Sequence, residues 1–127
     1  MVSKTRLKRI SDRIKEELSV IVLQDVADPR LLGVSITHVR LDPEVAYADI
    51  YVSAIEGRER SKEILAVLNH ARGYFRSELA HRISHLRSLP NLRFRWDETF
   101  EKAARIDQLI AEIEAEESLE KNNENDG

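Results

Sequence analysis

The sequence predicts a single two-layer α+β domain, with helices on one face of a three-stranded sheet. Three observations carry that prediction. Apolar residues recur at helical spacing in the first quarter of the chain. The period then changes to two across residues 34–55. Helical spacing returns before a short alternating segment near residue 94. Length agrees, because 127 residues and 14.7 kDa make one ordinary domain able to bury roughly two-thirds of its unfolded surface without a metal or disulfide.

In the first helix, Leu7, Ile10, Ile14, Leu18 and Ile21 form one stripe. It is expected to stop near Ala27, because Asp28 precedes Pro29 and that position disfavours helical angles. Val34 to Leu41 is rich in β-branched residues and reads as a strand. Asp42-Pro43-Glu44 turns the chain into a second strand over about Val45–Ile55. There Ala46, Ala48, Ile50, Val52 and Ala54 face inward, and Tyr47, Asp49, Tyr51 and Ser53 outward. So short a connection makes the pair an antiparallel hairpin. Gly57 opens the next connection. A second helix follows over about Ser61–His70, and a third uses Phe75, Leu79, Ile83 and Leu86 until Pro90 breaks it. Between them Ala71-Arg72-Gly73 marks a kink, with the third helix expected to start at Gly73. Leu92, Phe94 and Trp96 alternate with Arg93 and Arg95 in a third strand, and the helical crossover before it allows parallel pairing with one strand of the hairpin, which would make the sheet mixed. A last helix over about Thr99–Ile113 completes a domain spanning residues 1–113. Residues 114–127, acidic and nearly free of large apolar groups, are expected to be a disordered tail.

Composition excludes several functions. Without cysteine there is no thiolate metal site and no cysteine nucleophile. The N-terminus has charges but no apolar stretch behind them, so no signal peptide is expected, and no run is long enough for a membrane span. The formal net charge of −3 argues at first against a nucleic-acid partner. Divided at Asp97 it reverses. Residues 1–97 hold 17 Lys and Arg against 13 Asp and Glu, whereas residues 98–127 hold 3 against 10. A basic body with an acidic end points to a nucleic-acid surface beside a solvating segment.

Basic charge concentrates twice. On the first helix Arg6, Arg9 and Arg13 share one flank, and Lys4, Lys8 and Lys15 the other, offset within the first sixteen residues only by Asp12 and Glu16. Between residues 72 and 95, Arg72, Arg76, Arg82, Arg87, Arg93 and Arg95 face the single acid Glu78. Arginine suits phosphate because its planar fork donates two hydrogen bonds at once. Arg76 projects near the apolar stripe and is also suited to cover the core with its stem. The kink joins these features: a helix N-terminus attracts phosphate, and glycine lets a backbone approach closely. The alternative is that Gly73 simply turns a corner.

Other chemistry is poorly supplied. His81 and His85 stand one turn apart, but no third ligand accompanies them, and no metal site is expected. His38 and His70 read as ordinary strand and helix residues. Asp42 is explained by its turn and Asp49 by the outer face of its strand. No glycine-rich phosphate loop or nucleophile elbow occurs, so neither a catalytic site nor a cofactor is expected. Phe94, Trp96 and Phe100 read as core. Tyr47 and Tyr51 are placed either to stack bases or to be covered by a sheet edge or the last helix.

Several separated motifs together resemble a known family. The turn Asp28-Pro29-Arg30, the strand Ala48-Asp49-Ile50-Tyr51-Val52-Ser53, the kink Ala71-Arg72-Gly73 and the run Arg87-Ser88-Leu89-Pro90-Asn91-Leu92-Arg93-Phe94 occur in that order. Over residues 5–113 the chain looks like a type II K-homology domain of the ribosome-binding factor A family. Ordinary K-homology domains clamp nucleic acid with a Gly-x-x-Gly loop, which is absent here; the shorter Ala-x-Gly kink is the form that family has.

The resemblance implies a non-enzymatic, cytoplasmic assembly factor, active as a monomer. Its partner would be the free small ribosomal subunit and its ribosomal RNA, with no small-molecule substrate and no membrane. It would assist late maturation of that RNA near the 5′ end and support growth in the cold. The candidate RNA-binding residues are Lys4, Arg6, Lys8, Arg9, Arg13, Arg30, Arg72, Arg76, Arg87, Arg93 and Arg95, with the kink Ala71-Arg72-Gly73 at their centre. The rival reading is a protein-interaction module, or a structured-RNA binder unrelated to ribosome assembly.

Overall fold

In a computed structural model, residues 2–24, 28–84, 86 and 88–125 are described. The elements run α1 (Lys4–Gln24), a 3-10 turn (Pro29–Leu31), β1 (Val34–Leu41), β2 (Tyr47–Ala54), a second 3-10 turn (Arg58–Arg60), α2 (Ser61–His70), α3 (Arg72–Arg82), β3 (Asn91–Trp96) and α4 (Thr99–Asn125). The sheet has the order β1-β2-β3, with β1 and β2 antiparallel and β2 and β3 parallel. This is the mixed two-layer sheet expected from the pattern. The chain divides into two compact units, residues 1–97 and 98–127, at the charge reversal.

The core of the first unit lies between the sheet and three helices. Helix α1 buries Ile10, Ile14, Leu18, Ile21 and Val22; α2 buries Ile64 and Leu68, and α3 Phe75 and Leu79. The sheet answers with Val34, Ile36, Val39, Ala48, Ile50, Val52, Leu92 and Phe94. Ala48 is fully buried and adds only a methyl group to the sheet surface.

Strand β3 lies at the edge of the sheet, where a strand has unpaired backbone groups. Asn69 of α2 supplies a partner. Its amide Nδ2 donates to the Phe94 carbonyl at 3.3 Å, and its Oδ1 accepts from the Phe94 N–H at 3.0 Å.

Local chemistry adjusts several expected boundaries. Strand β2 starts at Tyr47 rather than Val45, and Ala46 is exposed rather than inward. The cause is Asp42, whose carboxylate accepts from the backbone N–H groups of Glu44, Ala46 and Tyr47 and so holds residues 42–47 in a closed turn. Those hydrogen bonds, Tyr47 first, keep the Asp42 carboxyl below the usual range. The turn holds Val45 at φ 56, an uncommon angle for a β-branched residue. Gly33, before β1, sits at φ 78, where a side chain would be strained and its Cβ would lie 3.6 Å from Ile55 Cδ1.

Helix α3 starts at Arg72 and ends at Arg82, instead of running from Gly73 to Pro90. The break lies at Ala71 (φ −91, ψ 8), one turn after the α2 carbonyl of Val67 that its N–H reaches. Ile83 leaves helical geometry (φ −119, ψ 75) yet stays buried, so the apolar spacing that mimicked another helical turn is satisfied outside the helix. The expected end of α1 near Ala27 falls outside the described residues.

The second unit is α4. It was expected to stop at Ile113 and give way to a structureless tail, but helix continues to Asn125. Glu, Ala, Leu and Lys are strong helix formers, and no glycine or proline occurs between Pro90 and Gly127. Phe100, expected in the core, is 80% exposed. A single helix has no second element within its own unit against which to bury such a side chain.

Candidate nucleic-acid interface

The basic residues of the body differ in how their charge is used. Arg30 makes a two-pronged pair with Asp28, Nε to Oδ1 at 3.0 Å and Nη2 to Oδ2 at 2.7 Å. The Arg30 guanidinium beside Asp28 holds that carboxyl at about 2, so the pair is fully ionised at neutral pH. Arg30 also lines a groove together with the acids Asp28 and Glu63. Lys8 pairs with Asp12 at 3.2 Å, and Arg13 with Glu17 at 3.1 Å, while Arg82 reaches the other Glu17 oxygen at 3.3 Å. Arg76 donates to the carbonyls of Leu89 at 2.9 Å and Pro90 at 3.3 Å, fixing the segment that leads into β3. Arg93 and Arg95 both donate through Nε to Asp49 Oδ1, at 2.9 and 3.0 Å. Arg87 lies outside the described residues, as does His85.

Of the candidate RNA-binding residues, Lys4, Arg6, Arg9 and Arg72 remain. All four are exposed and have no acidic partner among the described residues. A guanidinium already paired to a carboxylate must give up that pair to bind phosphate, so among the candidate residues these four are the most available to an anionic ligand.

The surface between them is a trough built from three concavities. The first, about 420 Å³, is lined by Tyr47, Arg72, Gly73, Arg76, Asn91, Leu92 and Arg93. The second, about 400 Å³, shares Gly73 and Arg76 and runs along α3 past Ser77, Ala80 and Ser84 to Ile83 and Leu86. The third, about 150 Å³, shares Ile83 and Leu86 and adds Arg6, Arg9, Ile10 and Arg13 from α1. Arg72 therefore stands at one end and Arg6 and Arg9 at the other. The floor between is made by Gly73, Ser77 and Ala80, spaced by four and three residues and so along one face of α3, with Ser84 just beyond the end of that helix. From Gly73 to Ala80, seven residues at about 1.5 Å each make the helical part of that floor roughly 10 Å long.

Sequence reasoning missed this floor, although its signal is the recurrence of small residues at helical spacing between two basic groups. It did find the ends. Arg30 stands apart from the trough, and Arg95 lies on the opposite face of the sheet. Among the described residues no group of three or more His, Asp or Glu side chains is placed to hold a metal ion. His81 instead lies against its own helix, with Nδ1 2.9 Å from the Ser77 carbonyl oxygen.

Gly73 is no corner piece. It has no positive φ, and a Cβ built on it meets no heavy atom within 4 Å. It occupies the first turn of α3, at the positive end of the helix dipole. Neither packing nor backbone angle requires glycine here. Gly73→Ala is expected to stabilise the fold by about 0.5–1 kcal/mol and raise the melting temperature by about 2–8 °C. A lower melting temperature would show that the kink itself needs glycine.

Comparisons with known proteins give one family. The model of the family described as ribosome-binding factor A matches residues 6–110. The chain is 38% identical over 113 residues to ribosome-binding factor A of Chromohalobacter salexigens, covering 87% of this chain and 86% of that one. It is 43% identical over 108 residues to the Acinetobacter baumannii protein of that name, covering 78% and 80%. Among solved structures, a Thermotoga maritima protein described as a putative ribosome binding factor A superposes with a TM-score of 0.63 at 34% identity, covering 75% of this chain and 90% of that one. Ribosome-binding factor A of Thermus thermophilus superposes at 0.62 and 28% identity, covering 71% and 93%. Coordinates of the Thermus thermophilus protein fitted into a cryo-EM map of a 30S complex superpose at 0.58 and 29% identity, covering 68% and 90%.

Proposed function

The chain belongs to the ribosome-binding factor A family, and from that membership we propose that it binds the free small ribosomal subunit through its ribosomal RNA. In this reading it acts in the cytoplasm as a monomer, without catalysis or a cofactor. It assists late maturation of that RNA near the 5′ end and supports growth in the cold. A relative from Thermus thermophilus fitted into a 30S complex supports the partner. The observation that carries the reading in this molecule is the trough along α3, with unpaired cations at both ends and a floor of small residues.

Such a trough takes a sugar–phosphate backbone. Arg72 and the positive end of α3 meet phosphate at one end, Arg6, Arg9 and Lys4 at the other, and the Ser77 and Ser84 hydroxyls are available to sugar or phosphate oxygens between. Contacts of this kind position RNA and read its shape rather than its sequence, in keeping with the missing Gly-x-x-Gly loop. The protein then assists maturation by differential affinity: it favours one RNA arrangement by as much as it binds that arrangement more tightly.

The test is sedimentation of the whole chain with isolated small subunits, large subunits and joined ribosomes over a salt series. Binding is expected with small subunits and should fall log-linearly with salt. Salt-insensitive binding, or equal binding to large subunits, would overturn the reading. Gly73→Ala adds a further outcome, because a methyl on the trough floor should weaken small-subunit binding even as it raises the melting temperature.

A further inference from the structure

The face of the sheet opposite the helices carries an arrangement that meets the trough only at Tyr47 and Arg93. Strict alternation from Val34 and Ile36 would send His38 and Arg40 inward. A bulge between Ile36 and His38 shifts the register by one residue, so that Val39 enters the core and His38 and Arg40 turn outward. Thr37 at the bulge donates to the Tyr51 carbonyl at 3.3 Å and to the Asp97 carboxylate, which fixes the irregularity in place.

The shift assembles two rows across the sheet. Arg40 faces Asp49, which faces Arg93; His38 faces Tyr51, which faces Arg95. The His38 and Tyr51 rings lie 5.9 Å apart, tilted by 35°. The Arg93 guanidinium lies 4.5 Å over the centre of the Tyr47 ring. Tyr47 and Tyr51, four residues apart on one strand, are separated by about 13 Å. Asp49 orients Arg93 and Arg95 between them and leaves the face with three guanidinium groups against one carboxylate. Within the strands no aliphatic side chain faces outward on this side.

We propose that this face is a platform for unpaired RNA, with bases stacking on Tyr51 and His38 and phosphates meeting Arg40 and Arg95. Rings and guanidinium planes alternating on a flat surface suit exposed bases, since every base has a face to stack while phosphate repeats beside it. A protein partner would call for aliphatic anchors, which the face lacks. The proposal takes from the preceding reading only the class of ligand, and it uses a different side of the molecule.

The experiment measures fluorescence anisotropy of a labelled ten-nucleotide oligouridylate with the full chain. Tyr51→Ala is expected to weaken binding about tenfold, within the usual range for loss of one stacked base. Tyr51→Phe should bind within about twofold of the unaltered chain. Arg40→Ala, at an exposed position, should lower the salt slope by about 0.7. Arg9→Glu, which disables the trough, should change oligouridylate affinity by no more than about threefold. Several results would overturn the proposal: no binding by the unaltered chain, unchanged binding by Tyr51→Ala, or Tyr51→Phe as weak as Tyr51→Ala. If Tyr51→Ala sheds small subunits but keeps the oligonucleotide, the occupant is a protein and the proposal fails. If Arg9→Glu weakens both ligands equally, the oligonucleotide lies in the trough; the platform is then refuted and the small-subunit reading stands. Should Tyr51→Ala not fold, an unchanged salt slope for Arg40→Ala refutes it alone.

Discussion

Replacing Arg9 and Arg72 together by glutamate is expected to weaken binding to free small subunits by roughly sixtyfold or more at about 0.1 M salt. The magnitude follows from counterion release, since each phosphate neutralised contributes a slope of about 0.9 in log affinity against log salt. Two lost contacts then amount to about 1.8 decades, and reversed charge adds repulsion. These two residues stand at opposite ends of the trough and have no acidic partner to leave stranded. Both are exposed, so the fold should survive, as an unchanged melting curve would verify. The slope of the salt series should drop by about 2. Arg30→Glu is the contrasting variant, because its guanidinium is already held by Asp28 and lies away from the trough. If Arg30→Glu weakens binding as much as Arg9→Glu does, net charge rather than the trough governs affinity.

Phe75→Ala is expected to cost about 3–5 kcal/mol of stability. Phe75 is fully buried beneath α3, with its ring 5.4 Å from that of Phe94 on β3, so the substitution opens a cavity where helix meets sheet. For a body of this size the melting temperature should fall by about 15–30 °C. The denaturant midpoint should fall with little change in slope, because the cavity leaves the area exposed on unfolding nearly the same. Below the new midpoint small-subunit binding should persist, since Phe75 faces the core and Arg72 and Arg76 the solvent. A loss under 1 kcal/mol would mean that α3 does not pack on β3 through this ring.

Elements whose residues repeat with a clear period were legible before the structure. The stripe of α1, the hairpin, α2 and the parallel third strand all follow from spacing, turn chemistry and the need for a crossover. Misreadings arose where a local pattern had two solutions. Ile83 fits a further helical turn as well as a buried loop residue. A chain of Glu, Ala and Lys with few apolar groups fits either a solvated coil or an unbroken helix, and α4 takes the second. Which arginines remain available was not legible at all, because Arg93 and Asp49 are 44 residues apart in sequence and meet only through the parallel pairing of β2 and β3.

The sequence alone determined the class of fold, the order of its layers, the charge division at Asp97 and the family resemblance, since each depends on residues near one another in the chain. Only the tertiary structure decided which cations face a ligand. It brought α1 and α3 together into one trough, spent Arg76 on the carbonyls of Leu89 and Pro90, and turned His38 and Arg40 outward through one extra residue in β1. The reason is physical: periodicity records which face of an element is buried, whereas the partner of a charged side chain is set by distances between elements that no local pattern encodes.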